Sequence, residues 1–240
     1  MDATPRVVAV IPARNEEQAI GKVIAALPRD LVPQVIVVDN GSSDDTAAVA
    51  RAAGALVVAE LRAGYGRACA AGVAAADGAD VLLFLDGDYS DFPEEAPRLL
   101  APILRGEADL VIGSRLRGRR EPGALPPHQL FGNWLVSRLM RLLYGLRITD
   151  LGPFRAIRAE LLAALDMREM TYGWPTEMMV KAARRGARVV EVPVSYRRRI
   201  GRSKISGTVR GTILATYYIL GVTLRYAVDR PWRTARRRSK

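Results

Sequence analysis

Short runs of β-branched and aliphatic residues recur along the chain, each followed by an Ala-rich stretch with apolar positions three and four apart. Arg6–Pro12 (RVVAVIP), Gln34–Asp39 (QVIVVD), Ala55–Glu60, Val81–Asp86 (VLLFLD) and Asp109–Gly113 read as strands. Glu17–Leu27 carries Ala19, Ile20, Val23, Ile24 and Leu27 at helical spacing. Ser43–Ala53, opening on Ser and Asp capping residues, Arg67–Ala76 and Pro93–Leu104 read as further helices. Apolar strands that alternate with helices predict an α/β fold, with a mostly parallel sheet covered on both faces.

The alternation stops near Gly113. Arg115–Pro127, rich in Arg, Gly and Pro, reads as a loop. Leu130–Tyr144 and Trp174–Arg185 read as helices, Phe154–Arg158 and Arg188–Tyr196 as strands. A basic loop follows, then an apolar helix around Gly207–Val228. No internal repeat or low-complexity linker interrupts the chain, so the simplest organisation is one domain with an elaborated second half.

The chain has 240 residues, 49% of them hydrophobic and 25% charged, which excludes a disordered polypeptide and supplies a sizeable core. One cysteine, Cys69, and one histidine, His128, exclude a disulfide framework and any metal site built on several Cys or His. His128 lies in a Pro-rich stretch and reads as a surface residue. No signal peptide opens the sequence, so the expected place is the cytoplasm or its membrane face. Net charge is +11, but unevenly spread. Residues 1–195 hold 23 Lys and Arg against 24 acids, whereas residues 196–240 hold 13 against one. A nucleic-acid binder with a basic face throughout does not fit; a local patch for phosphates or anionic head groups does.

Acidic residues gather at the predicted carboxyl ends of strands, where open α/β sheets bind ligands. Asp39 ends one strand and is followed by Asn40-Gly41-Ser42-Ser43; Asp86 ends another and is followed by Gly87-Asp88. Asp and Gly also terminate strands for purely local reasons. Two such clusters on one sheet edge favour a site. Carboxylates one residue apart repel unless a cation sits beside them, and a hard divalent ion takes oxygen ligands while sharing them with substrate phosphates. Asp86-x-Asp88 is therefore a candidate seat for a metal and a diphosphate. Pro12-Ala13-Arg14-Asn15-Glu16 suits either a nucleotide contact or an N-cap by Asn15. Gly64-Tyr65-Gly66-Arg67 opens a helix whose N-terminus favours anions.

The ordered segments VIPARNE, VIVVDNGSSDDT, AGYGRACAAG, FLDGD, DLVIGSR, TDLGPFRAIR, VVEVPVSYRRR and GRSK resemble family 2 glycosyltransferases. The resemblance spans roughly Arg6 to Gly211 and is greatest to the dolichol-phosphate mannose synthase and polyprenyl-phosphate glucosyltransferase branch. It implies a Rossmann-like GT-A fold, assigned to residues 1–206; residues 207–240 read, from their own apolar and basic pattern, as an interfacial apolar or amphipathic helix and a basic tail. It implies a nucleotide-sugar donor, Mg²⁺ or Mn²⁺, and inversion at the anomeric carbon. Carried onto this chain, Pro12, Asn15, Glu16, Asp39 and Arg67 lie with Asp86 on the nucleotide-sugar. Asp86 and Asp88 hold the metal. Arg199, Arg202, Ser203 and Lys204 handle phosphates. Two departures stand out. The family often has a second Asp at Asn40, and Leu-Gln where Tyr89-Ser90 follows the DxD, which leaves Ser90 or Asp91 as a third ligand.

Arg197–Lys204 packs five cations into eight residues, as holding a leaving diphosphate beside an acceptor phosphate requires. A lipid monophosphate is ionised at neutral pH and needs no strong base, whereas a sugar hydroxyl does. Glu177 and Asp150 are candidate catalytic carboxylates. Glu177 equally suits the charge of a helix N-terminus, and Asp150 is as ambiguous. Gly211–Leu224 is uncharged but short for a membrane span; with Tyr217, Tyr218 and Trp232 it suits an interfacial helix on anionic lipid, and it equally reads as a helix packed on the domain. The expected reaction is hexose transfer from UDP-glucose or GDP-mannose to a polyprenyl phosphate, by an enzyme peripheral to the inner membrane face. The alternatives are a soluble hydroxyl acceptor, or a basic adaptor for lipid or RNA.

Overall fold

In the computed structural model, which describes residues 5–201 and 209–228, seven strands form one sheet. They are β1 (Val7–Ala13), β2 (Gln34–Asp39), β3 (Leu56–Ala59), β4 (Val81–Phe84), β5 (Leu110–Ser114), β6 (Arg155–Arg158) and β7 (Val189–Pro193). The described helices are α1 (Ile20–Ala26), α2 (Thr46–Ala52), α3 (Tyr65–Ala75), α4 (Ala96–Leu104), α5 (Pro127–Tyr144), α6 (Ala159–Ala164), α7 (Trp174–Arg184) and α8 (Val209–Val228). A 3-10 turn, Pro93–Glu95, leads into α4.

The strand order is β3-β2-β1-β4-β6-β5-β7, parallel except for β6, which runs antiparallel between β4 and β5. Side-chain alternation divides the core. Val7, Ala9, Ile11, Val35, Val37, Leu83 and Leu85 meet α1 and α4 on one face. Val8, Val10, Ile36, Val38, Leu82 and Phe84 meet α3, α5 and α7 on the other. Gly72 lets α3 lie close on the sheet, since a Cβ there would stand 2.3 Å from Val10 Cγ1. That closeness brings the N-terminus of α3 to the sheet's carboxyl edge.

Three local readings are corrected. The strand through Asp86 stops at Phe84, where pairing with Arg155 of β6 ends, so both acids lie on a turning loop. The helix expected from Ser43 starts at Thr46, and Ser43 lies instead on a loop, its amide donating to Asn15 Oδ1 at 2.7 Å. Asp44 Oδ1 accepts the Thr46 amide at 3.1 Å instead. The six-residue α6 carries too few turns to display a period and went unread.

Helix α8 packs against α5 and α7. Its Val222 and Thr223 are buried, and the Tyr144 hydroxyl donates to the Thr223 carbonyl. Among the described residues no helix is long and apolar enough to cross a membrane. The Arg230–Lys240 tail, with Trp232, lies outside the described residues.

Candidate active site

The chain leaves β1 in opposite directions, to β2 and β3 on one side and to β4 on the other. Such a switch point opens a crevice at the carboxyl edge. Here it is a cavity of about 360 Å³. Pro12 and Ala13 line it from the end of β1, and Asp86, Gly87 and Asp88 from beyond β4. Gly64 and Tyr65 at the start of α3, Thr171 and Tyr172, and Tyr218 of α8 complete much of the wall.

Two loops behind this wall are interlocked. Asn15, at φ 53°, donates its amide to Ser42 Oγ at 2.9 Å while its own Oδ1 accepts from Ser43. Thr46 Oγ1 accepts the Glu16 amide at 2.7 Å, and Glu17 Oε2 accepts the Asp45 amide at 3.1 Å. Asp39 Oδ1 accepts the Ser42 amide at 3.0 Å. Asn15 and Asp39 thus shape the loops, and neither lines the cavity, whereas Pro12 and Glu16 do. Asn15 does not cap α1. The departure at Asn40 has a structural reason. Its Nδ2 donates to the carbonyls of Glu60 and Arg62 at 2.7 and 2.9 Å, and its Oδ1 accepts the Gly64 amide at 2.9 Å. An aspartate has no N–H to give those carbonyls.

The acids beyond β4 carry the electrostatics. Asp88 is 6% exposed, and its Oδ1 accepts from the Ser90 amide at 2.9 Å and the Ser90 hydroxyl at 2.5 Å. Its Oδ2 faces Arg199 Nη1 at 3.2 Å, and Arg199 Nη2 meets Glu16 Oε1 at 2.7 Å. Burial first, then repulsion from Asp88, raises Asp86 to about 7, against the pull of Arg199, Arg115 and the Tyr65 hydroxyl. That hydroxyl donates to Asp86 Oδ1 at 3.3 Å. Asp91 is buried and pushed well up by burial and by the same two acids, and its Oδ1 has no partner. Two hard-oxygen donors crowded in one cavity fit a divalent ion, which would relieve their repulsion. Ser90 is committed to Asp88, and among the described residues no group of three or more acidic, His or Cys side chains forms a metal cluster. A metal here would rest on Asp86, Asp88 and ligands from the substrate.

A stitched segment brings Arg199 into place. The Arg197 amide donates to the Ser90 carbonyl at 2.9 Å, and the Ile200 amide to the Asp88 carbonyl at 3.0 Å. The Arg197 guanidinium lies 3.8 Å from the Tyr89 ring centroid and 3.7 Å from that of Phe92. Arg198 turns away to Glu121 and Pro122. Arg202, Ser203 and Lys204 lie outside the described residues.

The helix N-terminus read as an anion site is already engaged. The Gly66 and Arg67 amides donate to the carbonyls of Thr171 and Met170 at 3.2 and 3.1 Å. Gly64 and Gly66 admit this loop, since a Cβ on either would stand 2.5 Å from the Met170 or Glu169 carbonyl oxygen. The Arg67 side chain does not line the cavity. Gly66→Ala is expected to cost about 2 kcal/mol by overpacking and to weaken ligand binding by displacing Thr171 and Tyr172, checked by urea unfolding and nucleotide titration.

Glu177 and Asp150 are not brought to the cavity either. Glu177 is buried; its Oε2 accepts the amides of Arg168 and Glu169 at 2.9 and 2.7 Å. Its Oε1 meets Lys181 Nζ at 2.8 Å and the Tyr226 hydroxyl of α8 at 2.6 Å. It ties the loop before Thr171 to α7 and α8. Asp150 is buried with Arg115, taking its Nε and Nη2 at 2.7 Å each. Arg115 in turn lies 4.9 Å from the Tyr196 ring centroid. His128 is exposed near the start of α5. The sequence reading missed Asn40, Thr171, Tyr172 and Tyr218 as wall residues. Only the AGYG glycines signalled that another segment must approach.

The chain resembles known proteins over this whole framework. It is 41% identical over 213 residues to a glycosyltransferase of Mycobacterium tuberculosis, covering 87% of this chain and 94% of that protein. It is 37% identical over 240 residues to the undecaprenyl-phosphate mannosyltransferase of Micrococcus luteus, covering 92% and 96%. The solved structure of glucosyl-3-phosphoglycerate synthase from M. tuberculosis, in complex with Mn²⁺, UDP and glucosyl-3-phosphoglycerate, superposes with a TM-score of 0.75 and 26% identity, covering 93% of this chain and 80% of that one. The family model described as Glycosyl transferase family 2 matches residues 8–165. The sheet with its single reversed strand is thus a GT-A fold, and the chain belongs to glycosyl transferase family 2.

Proposed function

We propose that the protein transfers a hexose from a nucleotide-sugar, UDP-glucose or GDP-mannose, to a polyprenyl phosphate at the cytoplasmic face of a membrane. The observation that carries this reading is what the cavity offers. It is lined by two neighbouring carboxylates, Asp86 and Asp88, that suit a cation, and by the Arg199 guanidinium; Glu16 and Asp88 share Arg199, and Asp86 accepts from Tyr65. Glu177, Asp150 and His128 stand outside it. An acceptor whose nucleophile is already ionised suits such a site, and a phosphate monoester, with a second pKa of about 6, is one. The M. luteus relative is named for a lipid-phosphate acceptor of this kind.

In this reading Pro12 and Glu16 flank the nucleotide, and Asn15, Asp39 and Arg67 act through the loops behind it. Asp86 and Asp88 would hold Mg²⁺ or Mn²⁺, which would supply positive charge toward the leaving diphosphate. Arg199 exchanges its carboxylate partners for phosphate oxygens, aided by Arg202, Ser203 and Lys204. An acceptor phosphate oxygen bonds to the anomeric carbon, the bond to the diphosphate breaks with its electron pair, and the nucleoside diphosphate leaves with inversion. Glu177 and Asp150 are positioning residues.

A second reading has one specific support: the solved neighbour holds a small phosphorylated acceptor product with UDP and Mn²⁺. Radiolabelled UDP-glucose and GDP-mannose, each with Mn²⁺, offered to undecaprenyl phosphate in detergent and to 3-phosphoglycerate, separate the two. Label extracted into organic solvent is expected. Label confined to aqueous phosphoglycerate products would establish the second reading in its place.

A further inference from the structure

Six of the ten large hydrophobic side chains exposed among the described residues lie on α5 and α8, two helices packed against each other. On α5, Phe131 is 63%, Trp134 53% and Leu142 80% exposed. With Arg138 they follow a spacing of three, four and four, which is one stripe of a helix. The Phe131 and Trp134 rings stack at 5.8 Å, and the Arg138 guanidinium lies 5.8 Å from the Trp134 ring centroid. On α8, Tyr217 and Leu224 are 71% and 50% exposed. Neither helix contains an Asp or Glu, while Arg138, Arg141 and Arg225 are exposed on them.

We propose that α5, with Phe131, Trp134 and Leu142 as its inserting residues, joins α8 in a docking surface for an anionic lipid bilayer. Charge selects the occupant. Aromatic and aliphatic groups beside cations, with no acid, complement anionic head groups over acyl chains. A second copy is a poor partner, because a two-fold contact would set these arginines against one another without an acid between them. The concentration of basic residues after residue 196 adds to the same attraction. The surface also reaches the reaction cavity. Tyr217 is exposed, and the adjacent Tyr218, edge-to-face with it at 5.6 Å, lines the cavity. A lipid-borne phosphate would thereby enter beside α8. This last point rests on the proposed lipid acceptor; bilayer binding does not.

The test is co-sedimentation with phosphatidylcholine vesicles, with and without about 30% phosphatidylglycerol, for the native chain and the Phe131→Ser/Trp134→Ser variant. The native chain is expected to partition onto the anionic vesicles at least about tenfold more strongly, less so at high salt. The double variant is expected to lose at least about tenfold of that partition. Its melting-temperature increase with UDP and Mn²⁺, and its transfer to undecaprenyl phosphate in detergent, should match the native chain. Equal partition of native chain and variant would overturn the proposal. So would a native dimer that does not bind vesicles and that the variant turns into a monomer. Vesicle binding lost in the variant, with no lipid-phosphate product from the native chain in detergent, would support the docking surface and refute the proposed reaction.

Discussion

Asp88→Asn is expected to cost nearly all turnover while the protein stays folded. The side chain keeps its shape, and its oxygen can still accept from the Ser90 amide and hydroxyl that hold Oδ1 now. What disappears is the negative charge at Oδ2, which faces Arg199 at 3.2 Å and would share the divalent ion in the proposed reaction. Charge stabilisation by such an ion is worth several kcal/mol, and about 4 kcal/mol corresponds to about a thousandfold. The expected loss in kcat is therefore about a thousandfold or more, with an unchanged far-ultraviolet circular dichroism spectrum. Retention of activity within tenfold would remove the DxD from the centre of the mechanism. Asp86→Asn does not make as clean a test, since neutralising a carboxylate already raised to about 7 also relieves repulsion and can stabilise the fold.

Asp150→Ala is expected to act the other way, through the fold. Burial alone would raise this carboxylate, but the charge and hydrogen bonds of Arg115 outweigh it and hold the group below its ordinary value. Removing it strands the buried Arg115 guanidinium, at a cost of about 3–5 kcal/mol. For a chain of this size that lowers the melting temperature by about 10 °C. The pH dependence follows in sign. A group depressed on folding contributes stability above its unfolded value of about 3.9, and that contribution fades as pH falls through the lower folded value. The native chain should therefore lose stability on acidification below about pH 4, and Asp150→Ala should lose less over that range. A variant with native melting behaviour but a thousandfold lower kcat would instead make Asp150 a catalytic base.

The two carboxylates held as candidate bases show where reading residues along a line runs out. Glu177 stands at a helix start and Asp150 in a polar turn, and the sequence leaves each open to two roles. Their partners lie far away in the chain: Arg115, 35 positions before Asp150, and Tyr226, 49 after Glu177. The same holds for Asn15 and Asp39, whose oxygens meet the loop amides of Ser43 and Ser42 rather than the cavity. Gly64 and Gly66 were legible as points of close approach, but the approaching group is the backbone of 169–171, not an anion.

The sequence by itself determined the alternation of strands and helices, the crowding of Asp86 and Asp88 at the carboxyl edge, and the family to which the chain belongs. Those properties are local: apolar periodicity decides which stretches are buried, and residues two apart stay neighbours however the chain folds. The tertiary structure alone decided that β6 runs backwards through the sheet and that Arg199 crosses to Glu16, 183 residues away. It alone decided that Tyr218 of α8 reaches the cavity and that one stripe of α5 stays uncovered. Strand direction, ion pairing and exposure depend on what packs against a residue, and spacing along the chain does not record that.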